Sequence, residues 1–278
     1  MEKLQFQDIM DKLRARAEEV RNDPSREGKS AGSNQGNEPD YDCPKCKDKT
    51  GYIAVKNGAE VWVQCSCIEW RRAQKLMRSS EITNDFKKLG FQNFRTEGKP
   101  ELIKGAYECA LSYFRSFNEI KGERQNSIAL LGQPGAGKTH LLTAIANNLI
   151  RKKRVGVQYF PYVEGFNDLK DDFDKLEEKM ERMKRTEVLF IDDLFKPTGK
   201  DKKPRATDWQ IEQTYAVINH RYLNHMPVLI SSELPIDQLV EVDEALATRI
   251  YEMCKDYLVL IQGDKFQLNH RLEDMSNA

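Results

Sequence analysis

Apolar positions follow two rhythms in this chain. From residue 127 onward, short unbroken apolar runs alternate with stretches whose apolar residues recur every three or four positions. Residues 127–131, 155–160, 188–191, 228–231 and 257–261 read as buried strands. Residues 140–146, 165–185, 208–225 and 245–255 read as helices. The helix over 165–185 carries Phe166, Leu169, Phe173, Leu176, Met180 and Met183 on one face, and that over 208–225 carries Ile211, Tyr215, Ile218 and Tyr222 on a stripe. Alternation of this kind predicts an α/β domain, a parallel sheet wrapped by helices.

Upstream of residue 127 the pattern changes. Residues 4–20 place Phe6, Ile9, Met10, Leu13, Ala17 and Val20 on one face of an amphipathic helix, within a segment 1–21. One apolar stripe needs a partner, either the rest of the chain or another protein. Residues 22–40 are polar, with Pro24, Gly28, Gly32 and Gly36, and read as a flexible linker. Residues 41–79 combine four cysteines with a basic helix over 69–79. Residues 80–125 form a connecting segment, irregular at first and helical over 102–120. The domain proper is expected over 126–278. No internal repeat is evident.

The junction between the first strand and the next helix carries the chemistry. Gly132-Gln133-Pro134-Gly135-Ala136-Gly137-Lys138-Thr139 fits the phosphate-loop pattern at every fixed position, with His140 opening the helix behind it. The glycines let successive N–H groups point at phosphate oxygens, and the helix N-terminus adds a favourable dipole. Lys138 is expected to reach the β- and γ-phosphates of ATP, and the Thr139 hydroxyl to ligate Mg²⁺. A glycine-rich turn of no chemical consequence is the bland alternative. The run Val188-Leu189-Phe190-Ile191-Asp192-Asp193 is a second nucleotide motif, a buried strand ending in two acids. Asp192 is placed to hold Mg²⁺ and Asp193 to orient or deprotonate the attacking water; two merely solvated acids are the alternative. Aspartate is one methylene shorter than the glutamate more usual in the second place, so slow hydrolysis is expected.

With these motifs in view, residues 127–271 resemble the AAA+ ATPases of the DnaC/DnaI helicase-loader type and, next to them, the IstB-type transposition helpers. The resemblance rests also on the strand 227–233 and on Ala245-Leu246-Ala247-Thr248-Arg249-Ile250-Tyr251-Glu252. It implies a P-loop NTPase fold without a lid, since 17 residues follow Ile261. It also implies that Arg249 is an arginine finger entering a neighbouring subunit's nucleotide site, and hence self-association; pairing with Glu252 or Glu244 is the alternative. Ser232, ahead of Glu233, is expected as the polar residue that senses the γ-phosphate. Partners implied by the resemblance are a hexameric replicative helicase and single-stranded DNA. Residues 195–205, with five basic residues and one acid, suit a phosphate backbone or form a solvated loop. The run 151–154 is basic too, at a helix C-terminus where cations are favoured.

The cysteines add a second component. Cys43 and Cys46 are separated by 18 residues from Cys65 and Cys67, room for a hairpin over 51–63 with Asn57-Gly58 at its turn. With no histidine nearby, a Cys₄ zinc site is expected, and a redox pair is the alternative. Cys109 and Cys254 fall at helical positions and read as packing residues. A small N-terminal zinc-binding module joined to such an ATPase resembles the DnaI branch in particular, and the transposition helpers usually lack it.

Bulk properties narrow the picture further. The formal net charge is +0, from 44 basic and 44 acidic residues, so whole-chain electrostatics predicts no nucleic-acid binding and any DNA contact must be local. Acidic and basic residues among the first positions do not fit a signal peptide, and no apolar run spans a bilayer. A cytoplasmic protein with no membrane partner is expected.

Overall fold

A computed structural model describes residues 41–56, 58–169, 172–198, 203–204 and 206–275. The segments expected as an amphipathic helix (1–21) and a linker (22–40) lie outside the described residues, as do Asn57 and positions 199–202 and 205 of the basic segment. Residues 41–48 form a turn in which the Asp48 carboxylate accepts the backbone N–H groups of Asp42 and Cys43. Strands β1 (Gly51–Lys56) and β2 (Ala59–Gln64) then pair antiparallel, Lys56 opposite Ala59, and Gly58 has a positive φ of 77°. Helix α1 (Cys67–Ser79) follows.

The principal sheet has five parallel strands: β3 (Ile128–Gly132), β4 (Val157–Pro161), β5 (Val188–Asp192), β8 (Val228–Ser232) and β9 (Leu258–Ile261), in the order β4-β5-β8-β3-β9. Two short strands, β6 (Pro197–Thr198) and β7 (Lys203–Pro204), pair separately. β3, β5 and β8 are buried at every position, because helices cover both faces. Alternate residues of β3 part between the two sides. Ile128 and Leu130 pack with Ile103 of α2 (Glu101–Ile120) and with Leu141, Leu142 and Ile145 of α3 (Lys138–Asn148). Ala129 and Leu131 face a second core. Helices α4 (Tyr162–Asn167), α5 (Phe173–Arg185), α6 (Asp208–Leu223), α7 (Ile236–Val242) and α8 (Glu244–Cys254) build that core with residues such as Phe166, Met180, Val217, Leu239 and Ile250. Cys254 is fully buried there, and Cys109 is half-buried on α2, where burial pushes its thiol up to about 11.

Two helical expectations need correction. The single helix over 165–185 is two helices. The Asp172 carboxylate accepts the Lys175 N–H and starts α5 afresh, and Phe173, expected on the buried face, is 80% exposed. On α6 the deeply buried residues are Gln210, Thr214, Val217, Ile218 and Arg221, while Ile211, Tyr215 and Tyr222 lie only partly buried at its margin. The polar face is buried because most of its polar groups find partners. Gln210 and Thr207 form a reciprocal cap, and Thr214 donates to the Gln210 carbonyl. Fully buried Arg221 donates to the carbonyls of Met183, Lys184, Thr186, Glu187 and Pro227, joining the end of α5 to the starts of β5 and β8. Burial without a carboxylate lowers its guanidinium to about 9.

Candidate nucleotide site and cysteine cluster

The phosphate loop joins β3 to α3. Gly132, Gly135 and Gly137 take φ of 108°, 77° and 84°, a region that L side chains avoid. Space is short at all three as well, a Cβ on Gly137 falling 2.6 Å from the Phe94 ring. A Cβ on Gly132 would lie 2.1 Å from the Ile261 carbonyl oxygen, and one on Gly135 would lie 1.9 Å from Asn269 Oδ1. Lys138 opens α3, is almost buried, and donates to the carbonyls of Gly132 (2.7 Å) and Gln133 (2.8 Å). Burial lowers its ammonium to about 8. Ala136 is buried, Pro134 lines the cleft, and Gln133 Oε1 accepts the Gly263 N–H.

The two motifs meet at the carboxylate of Asp192. Thr139 Oγ1 donates to Asp192 Oδ1 at 2.8 Å, although β8 lies between β3 and β5 in the sheet. Ser231 Oγ donates to the same oxygen at 2.5 Å, and Tyr159 donates its hydroxyl to Oδ2 at 3.2 Å. Burial raises the Asp192 carboxyl, against these hydrogen bonds. A hydroxyl and a carboxylate so placed form a hard-oxygen donor pair that suits Mg²⁺. Asp193 is the first residue past the strand, at φ 57°; its N–H donates to Ser231 Oγ, and its Oδ2 lies 2.5 Å from Lys196 Nζ.

Ser232 sits elsewhere than the sensor expectation requires. Its hydroxyl donates to the Leu194 carbonyl and accepts the Leu234 N–H, fully buried, while Glu233 lines the cleft. The reason is strand parity. Consecutive residues of β8 point to opposite faces, so only Ser231 can meet Asp192. Ser231, Tyr159 and Lys196 are absent from the motif-based reading, and the signal for Ser231 was available in that alternation.

The cleft has a volume of about 550 Å³. Besides the residues above, Phe86, Asn93, Phe94, Arg95, His270 and Arg271 line it. The segment ahead of α2, expected to be irregular, forms two short 3₁₀ turns (Phe86–Lys88 and Phe91–Asn93) anchored on α3. Asn147 donates to the carbonyls of Phe86 and Leu89, and His140 Nε2 contacts the Gly90 carbonyl (3.1 Å) and Asn93 Oδ1. Burial lowers the His140 imidazole. The Phe94 ring meets His140 edge-on, contacts His270 and stacks on Tyr107.

Arg249, on α8, does not line this cleft. Its Nε donates to Asn219 Oδ1 at 2.9 Å and its Nη1 to the Ala245 carbonyl, with the guanidinium over the rings of Tyr215 and Tyr222. These hydrogen bonds go to neither Glu252 nor Glu244; Glu252 accepts the Tyr222 hydroxyl. In the run 151–154, Arg151 and Lys153 donate to carbonyls of Lys87 and Arg115, and Arg154 pairs with Glu69.

The Sγ atoms of Cys43, Cys46, Cys65 and Cys67 lie within 4.8 Å of one another. A tetrahedral Zn–S₄ centre with bonds of about 2.3 Å needs sulfur separations of about 3.8 Å, so this donor set fits zinc.

Known proteins place the geometry in context. The family model for IstB-like ATP binding proteins matches residues 68–274. The phage-like element PBSX protein XkdC of Bacillus subtilis (strain 168) is 62% identical over 233 residues, covering 84% of this chain and 87% of that one. The replicative helicase loader DnaI of the same organism is 30% identical over 196 residues, covering 66% of this chain and 58% of DnaI. Among solved structures, the DnaC helicase loader superposes with a TM-score of 0.55 at 22% identity, covering 65% of this chain and 100% of that one.

Proposed function

The chain belongs to the IstB-like ATP-binding family and carries the AAA+ fold of the DnaC and DnaI helicase loaders, and from that premise we propose that it loads a hexameric replicative helicase onto single-stranded DNA in an ATP-dependent way. The observation that carries this reading is the joining of the two nucleotide motifs through the Thr139–Asp192 hydrogen bond, in a chain 30% identical to a loader.

The loop 132–139 holds the phosphates, with Lys138 on their oxygens and His140 behind. Thr139 and Asp192 would hold Mg²⁺, which when bound supplies charge neutralisation to the phosphates. Asp193 orients or deprotonates water once its carboxylate is available, and its short side chain makes hydrolysis slow. Arg249 enters the nucleotide site of a neighbouring copy. The four cysteines hold Zn²⁺ in a module that grips the helicase. The protein works in the cytoplasm; among the described residues no helix is long and apolar enough to cross a membrane.

Immobilised full-length protein is expected to capture the cognate hexameric helicase and to deposit it on single-stranded circular DNA with ATP. The Lys138→Ala variant should capture but not deposit. No capture in any nucleotide state would falsify the loader reading. The family match favours a second reading, a transposition helper. Preference for duplex DNA and for a transposase over a helicase would select it.

A further inference from the structure

The cleft holds two lysines, and the phosphate-loop pattern accounts for only one. Lys196 enters from beyond β5 and lines the cleft together with Lys138, Thr139, Asp192, Asp193 and Glu233. Its backbone position is fixed. The Leu194 N–H donates to the Ser231 carbonyl, and the Lys196 N–H to the Asp193 carbonyl. Phe195 is fully buried, with its ring 5.3 Å from that of Tyr162. Beyond Cα the side chain is 43% exposed. The ammonium is within reach of solvent, and its partner is the Asp193 carboxylate at 2.5 Å.

Placement gives that lysine a task. Three carboxylates, Asp192, Asp193 and Glu233, line the cleft with four cationic side chains, Lys138, Lys196, Arg95 and Arg271, and Lys196 is the one paired with Asp193. Thr139 and Asp192 would hold a magnesium ion that neutralises part of the phosphate charge. A terminal phosphate still brings negative charge towards Asp193 and Glu233, where Lys196 is the cation beside Asp193. An ammonium has three donors, so it can transfer to a phosphate oxygen without losing its stem position. A carboxylate held by a lysine, in contrast, has one oxygen fewer with which to bind water.

We propose that Lys196 is a second phosphate-binding cation. It leaves Asp193 for the terminal phosphate of ATP, so that the site distinguishes ATP from ADP within one chain and Asp193 is released in the same movement. This rests on the ATPase reading above.

The test is calorimetric titration of full-length wild type, Lys196→Ala and Lys196→Arg, with Mg²⁺, using a methylene-bridged ATP analogue and ADP. The expected result is analogue binding weakened about tenfold or more in Lys196→Ala, the scale of one charge-assisted hydrogen bond. ADP binding should change less than about twofold, and Lys196→Arg should recover most of the loss, since guanidinium also pairs with phosphate. Equal losses for both nucleotides, or no loss for either, overturn the proposal. So does faster hydrolysis in Lys196→Ala at unchanged analogue affinity, which would make Lys196 a catch on Asp193 only. A wild type that binds neither nucleotide overturns the ATPase reading, and Lys196 with it; a wild type that binds both isolates the test of Lys196.

Discussion

At the scale of single residues, the two serines at the end of β8 show how one position separates chemistry from packing. Ser231 holds Asp192 through its hydroxyl and accepts the Asp193 N–H. Ser232 closes the turn through Leu194 and Leu234. Ser231→Ala should therefore slow turnover by roughly 10- to 100-fold, the range for outer partners of a metal-binding group, besides the stability lost with the pairing of the Asp193 N–H. Ser232→Ala should cost stability alone. It leaves a buried carbonyl and N–H unpaired, at about 1–3 kcal/mol, while turnover per folded molecule stays within about twofold. Steady-state kinetics and thermal melts on the pair check both statements, and swapped phenotypes would return the sensing role to Ser232. Arg249 gives a second residue-scale prediction. If it acts on a neighbour, Arg249→Ala loses roughly 10³ in stimulated hydrolysis. Mixing it with Lys138→Ala should then restore activity, because each variant supplies what the other lacks. Mixtures no more active than their components would refute action between chains.

At the scale of elements, the strands were the most legible part of the sequence. Runs such as Val188-Leu189-Phe190-Ile191 are apolar because both faces of β5 are covered, and that requirement is written into every position. Helices were legible where one apolar face met the core, as on α8. Legibility failed where polar groups did the packing. Nothing in the periodicity of α6 announces that Arg221 lies inside, because its five carbonyl acceptors come from residues 183–187 and 227, fixed only by the tertiary fold. The restart of a helix at Asp172 was hidden by an apolar pattern running through it. In the site, residues in contiguous motifs were legible, whereas Tyr159 and Lys196 converge from the middle of β4 and from beyond β5. For the hairpin β1–β2, the spacing agreed with the structure, and the cysteine sulfurs converge. Metal analysis of purified protein is expected to give one zinc per chain, and Cys46→Ser should lose it. Zinc-free protein with an intact hairpin would remove the metal from the account.

At the scale of the whole molecule, the order β4-β5-β8-β3-β9 puts the phosphate-loop strand between two strands that come about 100 and 130 residues later, as the pairings Ile128↔Leu229 and Ala129↔Leu258 record. The loop is also clasped by the residues that follow β9. The Gln133 N–H donates to the Ile261 carbonyl, the His270 N–H donates to the Gly135 carbonyl, and Asn269 occupies the space a side chain at Gly135 would need. The consequence concerns time rather than shape. Pairings so distant in sequence are slow to close, and this cradle is complete only when residues 258–271 have docked, however early its own residues are made. In refolding from denaturant, the fluorescence of a bound nucleotide analogue should therefore rise with the last phase, after helical circular dichroism has recovered. Nucleotide bound in the earliest phase would mean that the loop takes its shape without its clasp. A ribosome-bound chain lacking those residues would hold the whole motif and still be unable to grip ATP.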